Sequence, residues 1–178
     1  MMNEDSDSKS SILIADDNLE NLKVLSTALI GFGYEVRIAT NGRKALESAF
    51  IKAPDLILLD IHMPELDGYE TCREFKKDLR TRDIPIIFVS ALDEPFNKVK
   101  AFRQGAIDYL TKPIEMEEVR ARVEVHLLLR QKIKELEDFN RIMVEREMRM
   151  IELKNEVNAL SRELGRHEPY PEARMEVS

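Results

Sequence analysis

Several polar residues stand directly after short apolar stretches of the chain, in an order that could bring them together. They are Asp16 and Asp17 after ILIA, Asp60 after LILL, Ser90 after IIFV, and Thr111 with Lys112 after DYL. Three carboxylates in one place repel one another, and at least one pKa rises unless a cation lies among them. The set therefore predicts a site for a hard divalent cation beside a lysine.

Magnesium suits this small acidic set better than calcium. Mg²⁺ takes oxygen ligands, keeps several waters and uses few carboxylates together with phosphate oxygens, whereas Ca²⁺ usually takes more protein oxygens. With the ion bound, an aspartate can attack a phosphoryl group and form an aspartyl phosphate. Positive charge and hydrogen-bond donors must then stabilise the phosphoryl oxygens. Lys112 can supply the ammonium group and Ser90 the hydroxyl group.

The apolar stretches predict strands, and helical patterns alternate with them. Predicted strands lie at 12–15, 35–39, 56–59, 86–89 and 107–110, and predicted helices at 19–30, 43–50, 69–79 and 96–102. Near-continuous apolar runs are typical of parallel strands covered on both faces. Five strands alternating with helices indicate an α/β fold with a doubly wound, five-stranded parallel sheet. Such sheets carry their working residues at the carboxyl ends of the strands.

Four strings in this order and spacing resemble the receiver domain of two-component response regulators: ILIADDN, LILLDIHMPELDG, IIFVSA and DYLTKP. The resemblance covers roughly residues 11–129 and implies a flavodoxin-like fold. It implies that Asp60 is the phosphoacceptor and that Asp16 and Asp17 bind Mg²⁺ together with Asp60 and the backbone carbonyl of His62. Ser90 and Lys112 would contact the phosphoryl group, and a histidine kinase or phosphotransfer protein would be the donor.

The same resemblance implies a switch, in which Ser90 moves toward the phosphoryl group and Tyr109 swings inward. The expected output surface is residues 96–129, and the peptide bond before Pro113 is expected to be cis. Two positions that tune phosphoryl lifetime in this family are His62 and Leu92 in this chain. Because an apolar Leu92 cannot orient an attacking water, we predict slow autodephosphorylation.

Composition excludes several function classes. The 178 residues carry 27 basic and 34 acidic side chains, a net charge of −7, so a grip on nucleic acid is disfavoured. One cysteine excludes a disulfide scaffold or a multi-cysteine zinc site. The acidic N-terminus and the lack of a long apolar run predict a cytoplasmic protein with no membrane contact. We interpret His126 as a packing residue at a helix seam and His167 as a loop residue, so neither predicts a histidine kinase.

Glycine and proline divide the chain into two regions. They are frequent up to Pro113 and absent from residues 114–164. We predict a disordered tail at 1–10, a receiver domain at 11–129 whose fifth helix starts near 114, a coiled coil at 130–164 continuous with that helix, and a polar tail at 165–178. No effector domain is expected after the coil.

The predicted long helix carries apolar residues at seven-residue spacing, which favours a parallel two-stranded coiled coil with a second copy. The seam consists of Leu129, Leu136, Met143, Met150, Val157 and Leu164. Its companion residues change side between about 136 and 150, as a three-residue insertion in the heptad would do. Asn140 and Arg146 at core-type positions there would lower stability; ordinary imperfection and a functional hinge both remain open.

These features predict a dimeric response regulator that accepts a phosphoryl group on Asp60 and signals through its coil. The chemistry is confined to phosphorylation and dephosphorylation of the chain itself, so we do not expect an enzyme acting on other substrates. Three alternatives stay open: the coil docks a separate protein, the chain is a phosphate sink or phosphorelay shuttle, or it is the front segment of a larger signalling protein.

Overall fold

The computed structural model describes residues 9–91 and 98–170. Strands and helices alternate along the chain. The strands are β1 (Ser11–Ala15), β2 (Glu35–Ala39), β3 (Leu56–Asp60), β4 (Ile86–Ala91) and β5 (Asp108–Lys112). The helices are α1 (Leu19–Gly31), α2 (Gly42–Ile51), α3 (Gly68–Lys77), α4 (Lys98–Arg103) and α5 (Met116–Glu163). The predicted α/β class and long final helix are confirmed.

The five strands form one parallel sheet in the order β2-β1-β3-β4-β5. β1 lies inside the sheet, with β2 on one side of it and β3, β4 and β5 in succession on the other side. The connections therefore run from β1 toward both edges of the sheet. The carboxyl ends of β1 and β3 therefore lie beside each other at the point where the connections change direction. In doubly wound sheets this crevice is where ligands bind.

Apolar side chains of successive strand residues alternate between the two faces of the sheet, and each face has its own core. On one face, Ile57, Leu59 and Phe88 pack with side chains of α2, α3 and α4, including the fully buried Phe75. On the other face, residues from β1, β3, β4 and β5 pack with α1 and the first turns of α5: Ile12, Ile14, Leu56, Leu58, Ile87, Val89, Leu110, Leu22, Leu25, Leu29, Val119 and Val123. Both faces of the sheet are covered, as the near-continuous apolar runs predict.

The chain forms two compact units, one through Arg130 and one from Gln131 onward. In the first unit, a small polar cluster lies at the amino ends of β1 and β3. Asp55 accepts a hydrogen bond from the Ser11 backbone N–H at 2.8 Å, and the Arg130 guanidinium donates to the carbonyl oxygens of Pro54 and Asp55. The loop before β3 thus holds both the first residue of β1 and the last residue of this unit.

The start of α5 lies slightly later than the sequence predicts. The helix begins at Met116 rather than near 114, because the Glu115 carbonyl accepts the first helical bond, from the Val119 N–H at 3.1 Å. The peptide bond between Lys112 and Pro113 is cis. The helix has 48 residues. Within the described ranges, no helix combines the length and apolarity needed to cross a membrane.

The second unit is helical through Glu163, and most of its large apolar side chains are exposed. Exposed members include every residue of the predicted seam from Leu136 onward: Leu136, Met143, Met150, Val157 and Leu164. The helix ends at Glu163, and Gly165, two residues later, has a φ of 65° in the left-handed region. The chain that follows turns back onto the helix.

Candidate functional site

The carboxyl ends of β1, β3 and β5 bring three charged side chains into direct contact. The Lys112 ammonium donates hydrogen bonds to Asp60 Oδ1 at 2.6 Å and to Asp16 Oδ2 at 3.0 Å. Asp16 follows β1, whereas Asp60 and Lys112 are the last residues of β3 and β5. Two carboxylates and one ammonium group from distant parts of the sequence therefore form one cluster at the predicted edge of the sheet.

Three of the predicted site residues, Asp60, Ser90 and Lys112, belong to strands that run longer than the sequence indicates. Asp60 is in register with Val89, and Ser90 is in register with Thr111. The predicted strands stop before these residues because polar side chains are rare inside a buried sheet. Here the backbone ladder continues through them, which fixes their position more firmly than a loop would.

Asp60 is buried at the end of β3, where α3 packs closely against the strand. Only 4% of its surface is exposed, and its Oδ2 accepts a hydrogen bond from the His62 backbone N–H at 3.0 Å. The start of α3 lies directly against this strand end. A Cβ atom at Gly68 would collide with the Asp60 carbonyl oxygen, so only glycine permits this approach.

Asp16 is fixed by side chains and backbone at the start of α1. Its Oδ1 accepts from the Asn18 N–H at 2.8 Å, and Asn21 donates its side-chain amide to Oδ2 at 3.0 Å. Asn18 is the N-cap of α1, since its side chain accepts from the Glu20 and Asn21 N–H groups. Asp17 is exposed. Asn18 therefore caps the start of α1.

Asn21 is a site residue that sequence reasoning missed. The side chain lies in the first turn of α1 and reaches back to Asp16. A polar residue in the first turn of a helix that follows the strand end was the available indication. Polar residues at that place are common on solvated helix faces, so the indication was weak.

The charges shift one another's protonation equilibria. Burial raises the pKa of Asp60, and the nearby Asp16 carboxylate adds to this, although the hydrogen bond from Lys112 opposes it. Burial alone would lower the pKa of Lys112, but its hydrogen bonds to Asp60 and Asp16 raise it above the ordinary value. The lysine therefore stays charged, and the site offers one positive group to balance a buried acidic pair.

Asp16, Asp17 and Asp60 each place a carboxylate oxygen within 4.8 Å of the other two. The donors are all oxygens, which is the ligand type that Mg²⁺ prefers. Two of the three residues are buried and Asp17 is exposed, so the cluster lies at the protein surface with one open side. The residues present therefore fit a magnesium ion.

Ser90 and Tyr109, the residues expected to switch, lie on neighbouring strands. Ser90 is buried near the end of β4. Tyr109 is half-buried in β5, in register with Phe88, against which the Tyr69 ring packs edge-on at 5.2 Å. His62, the other predicted tuning residue, is exposed. Leu92 and the beginning of the expected output surface lie outside the described residues.

The two remaining histidines lie away from this site. His126 is half-buried in α5, and its Nε2 lies 3.0 Å from Asp108 Oδ2 at the start of β5. The Arg122 guanidinium contacts both oxygens of the same carboxylate at 2.7 Å. His126 therefore packs inside the first unit. His167 is exposed after the end of α5.

Comparison with known proteins gives the same fold. The family description "Response regulator receiver domain" matches residues 12–124. The chain is 41% identical over 116 residues to the DNA-binding dual master transcriptional regulator RpaA of Synechocystis, which covers 65% of this chain and 48% of RpaA. It is 42% identical over 112 residues to the response regulator PleD of Caulobacter vibrioides, covering 63% of this chain and 25% of PleD.

A solved structure shares the architecture. The receiver domain of a signal transduction histidine kinase from Syntrophus aciditrophicus is 35% identical, with a TM-score of 0.62, over 66% of this chain and 89% of that one. The chain spans about half the length, or less, of the curated relatives named above. The similarity covers the first compact unit and leaves most of the second unmatched.

Proposed function

This chain belongs to the response regulator receiver domain family, and on that premise we propose that it accepts a phosphoryl group on Asp60. The donor is a phosphorylated histidine of a kinase or phosphotransfer protein. The observation that carries the proposal is the contact of Lys112 with both Asp60 and Asp16 at the carboxyl edge of the sheet. The proposed chemistry modifies the chain itself, and no other substrate is proposed.

The transfer replaces one bond to phosphorus with another. A carboxylate oxygen of Asp60 forms a bond to phosphorus as the bond from phosphorus to the donor's imidazole nitrogen breaks. The electron pair of that bond stays on the imidazole. Lys112 lies where its ammonium can contact a phosphoryl oxygen, and it remains charged because its pKa is raised by its two carboxylate partners. Ser90 offers a hydroxyl group on the neighbouring strand.

We propose that Asp16, Asp17, Asp60 and the His62 carbonyl hold Mg²⁺ in this site. When bound, the ion supplies positive charge that neutralises the carboxylates and the phosphoryl oxygens. The hydrogen bonds from Asn18 and Asn21 keep Asp16 oriented for this role. Asp17, being exposed, is open to water and to an approaching phosphoryl donor.

The proposed readout begins with Ser90 and Tyr109. A phosphoryl group on Asp60 offers the Ser90 hydroxyl a new hydrogen-bond acceptor at the end of β4. The resulting shift of that strand end changes the space available to the Tyr109 side chain. Tyr109 of β5 is in register with Phe88 of the neighbouring strand β4, and it packs against the core cluster that contains Phe88. Its reorientation would alter the surface formed by α4, β5 and the first part of α5.

We further propose that the output passes through a coiled coil formed by α5 and a second copy of the chain. The exposed apolar residues of the second unit support this, since a helix with an unburied apolar stripe needs a partner. Repeats of seven residues favour a two-stranded coil over other partners. The charged helix surface between the apolar positions would remain in water.

A phosphorylation assay on the full chain tests the site. With Mg²⁺ and acetyl phosphate as the donor, intact mass spectrometry is expected to show the addition of one phosphoryl group. Asp60→Asn should abolish the addition, and removal of Mg²⁺ with a chelator should suppress it strongly. Asp83→Asn is the control, because that side chain is 84% exposed at the opposite edge of the sheet. Uptake by Asp60→Asn equal to that of the unchanged chain would reject the assignment.

A further inference from the structure

The end of α5 is closed by a turn that reverses the chain. The Arg166 N–H donates to the Ser161 carbonyl at 2.8 Å, and the Gly165 N–H donates to the Arg162 carbonyl at 3.0 Å. Gly165 adopts a positive φ, which is the usual way for a glycine to end a helix. The residues that follow can therefore run back along the helix that they have just left.

Residues 166–170, which we call the hook, are fastened to the side of α5. The Asn158 side-chain amide donates to the Tyr170 carbonyl at 2.8 Å and accepts from the Tyr170 N–H at 3.1 Å. Glu168 pairs with Arg162 at 2.9 Å, and the Lys154 ammonium lies 5.9 Å from the centre of the Tyr170 ring. Asn158 is only 5% exposed as a result.

The hook makes the two flanks of the apolar stripe different. At 100° per residue, Lys154 and Ser161 lie on one flank of the stripe formed by Met150, Leu153, Val157 and Leu160, and Asn158 lies just behind them. This flank is buried or half-buried by the hook. Glu156 and Glu163 lie on the other flank and are exposed. The apolar stripe between the flanks stays exposed.

We propose that the hook restricts the end of α5 to pairing with one second copy of this chain, in a parallel two-stranded coil. This inference rests on the coil dimer of the proposed function and adds the structural feature, the hook, that sets its stoichiometry and orientation. The occupant of the apolar stripe is thus the same stripe of another copy, and the hook occupies the place that a third helix would need.

Stoichiometry follows from which positions a coil buries. A two-stranded coil buries the central stripe and leaves the flanking residues at its margin, whereas coils of three or more strands bury the flanks more deeply. The flank with Lys154 and Ser161 is already covered within the chain. A third strand could pack there only after the two hydrogen bonds between Asn158 and Tyr170 were broken.

Orientation follows from charge. In a parallel pair, each flank of one helix adjoins the opposite flank of its partner, so acidic Glu156 and Glu163 would adjoin the flank that carries Lys154 and the hook residue Arg166. In an antiparallel pair, like flanks adjoin and Glu would face Glu. Arg149, two turns before Glu156 on the acidic flank, is already paired with Glu152 at 3.0 Å.

Absolute mass in solution tests the stoichiometry. The full chain is expected to have twice its chain mass by light scattering, and Asn158→Ala, which releases the hook, should shift the population toward larger assemblies. Tyr170→Pro removes the N–H that Asn158 accepts and should act in the same direction without changing α5. Asn155→Ala alters an exposed asparagine of the same helix and should remain a dimer.

The outcomes separate the two proposals. A monomeric unchanged chain would reject the coil dimer itself. Dimers in every variant, with faster hydrogen exchange at residues 158–170 showing that the hook has been released, would reject the restriction while leaving the dimer standing. Neither outcome bears on phosphoryl uptake by Asp60, which is measured separately.

Cysteine cross-linking tests the orientation. Val157→Cys places one thiol in the apolar stripe, and oxidation should link two copies if the helices are parallel and in register. Asn155→Cys, on the outer surface, should not cross-link. The native Cys72 is fully buried and burial raises its pKa to about 11, so it should not interfere. An uncross-linked Val157→Cys dimer would reject the parallel arrangement.

Discussion

The two compact units use the same kinds of apolar residue in opposite ways. In the unit through Arg130, Phe75 is completely buried between α3 and the sheet, whereas Phe139 in the second unit is 60% exposed on α5. One unit covers its own apolar surface and the other does not. The first unit therefore buries its apolar side chains within a single chain, whereas the second leaves most of its own exposed.

The contrast occurs within one helix. Val119 and Val123 of α5 are fully buried on the sheet, while Ile133 and Leu136, further along the same helix, are exposed. Residue type and helical spacing are alike in both stretches. The presence of a sheet face beneath the first stretch makes the difference, so burial here is a property of the surroundings rather than of the helix.

The largest expected effect comes from opening the self-contained core. Phe75→Ala removes a fully buried ring and should lower the free energy of unfolding of the first unit by roughly 3–5 kcal/mol. Phe102→Ala is the matched control, because that ring is 49% exposed and its loss should cost within about 0.5 kcal/mol. Hydrogen exchange followed by mass spectrometry measures the two units separately. Equal losses for the two variants would contradict the claim that burial of Phe75 stabilises the core of the first unit.

A smaller effect is expected from charging the exposed stripe. Leu153→Glu places a carboxylate in the apolar stripe and should weaken the dimer roughly 100-fold, about 2.7 kcal/mol, because each factor of ten corresponds to about 1.4 kcal/mol. Asn155→Glu adds the same charge on the outer surface and should leave the dissociation constant almost unchanged. Sedimentation at a series of concentrations measures both. Phosphoryl uptake by the Leu153→Glu chain should persist, since the change lies outside the first unit.

The smallest expected effect concerns the buried charge at the sheet edge. Because burial raises the pKa of Asp60 above its value in the unfolded chain, its ionisation disfavours folding. This penalty is absent below the ordinary carboxylate pKa and is complete once the pH has risen above the raised value. Asp60→Asn lacks the penalty, so its stability relative to the unchanged chain should increase as pH rises from about 4 to about 7.

Denaturant unfolding at several pH values measures this difference. Asp83→Asn serves as the control, because its exposed pair with Arg82 is expected to contribute little at any pH. A relative stability of Asp60→Asn that falls as pH rises would mean that Lys112 outweighs burial at this site.

The sheet and its helices could be predicted because short apolar runs followed by aspartates are typical of strands in a parallel sheet. All five predicted strands form, and their order brings Asp16, Asp60 and Lys112 together. The extension of β3 and β4 through Asp60 and Ser90 could not be predicted, because a buried ladder of hydrogen bonds outweighs the local preference of polar residues for loops.

Contacts made by single polar side chains were beyond sequence reasoning. The hydrogen bonds of Asn21 with Asp16 and of Asn158 with Tyr170 depend on where a helix begins or ends, and spacing alone does not determine that geometry. His126 lies at seam spacing but pairs with Asp108, since the first turns of α5 already pack on the sheet. The seven-residue spacing correctly predicts a helix, but tertiary contacts determine which face of that helix is buried.

The loop before β3 has a consequence for how this unit combines with others. Asp55 holds the backbone of Ser11, and the carbonyls of Pro54 and Asp55 hold Arg130, so the chain enters and leaves the first unit at one loop. A unit whose entry and exit are adjacent can be exchanged between host proteins without changing the spacing of the segments around it. The Asp55 cluster therefore gives this unit adjacent ends, the arrangement that suits insertion into another protein.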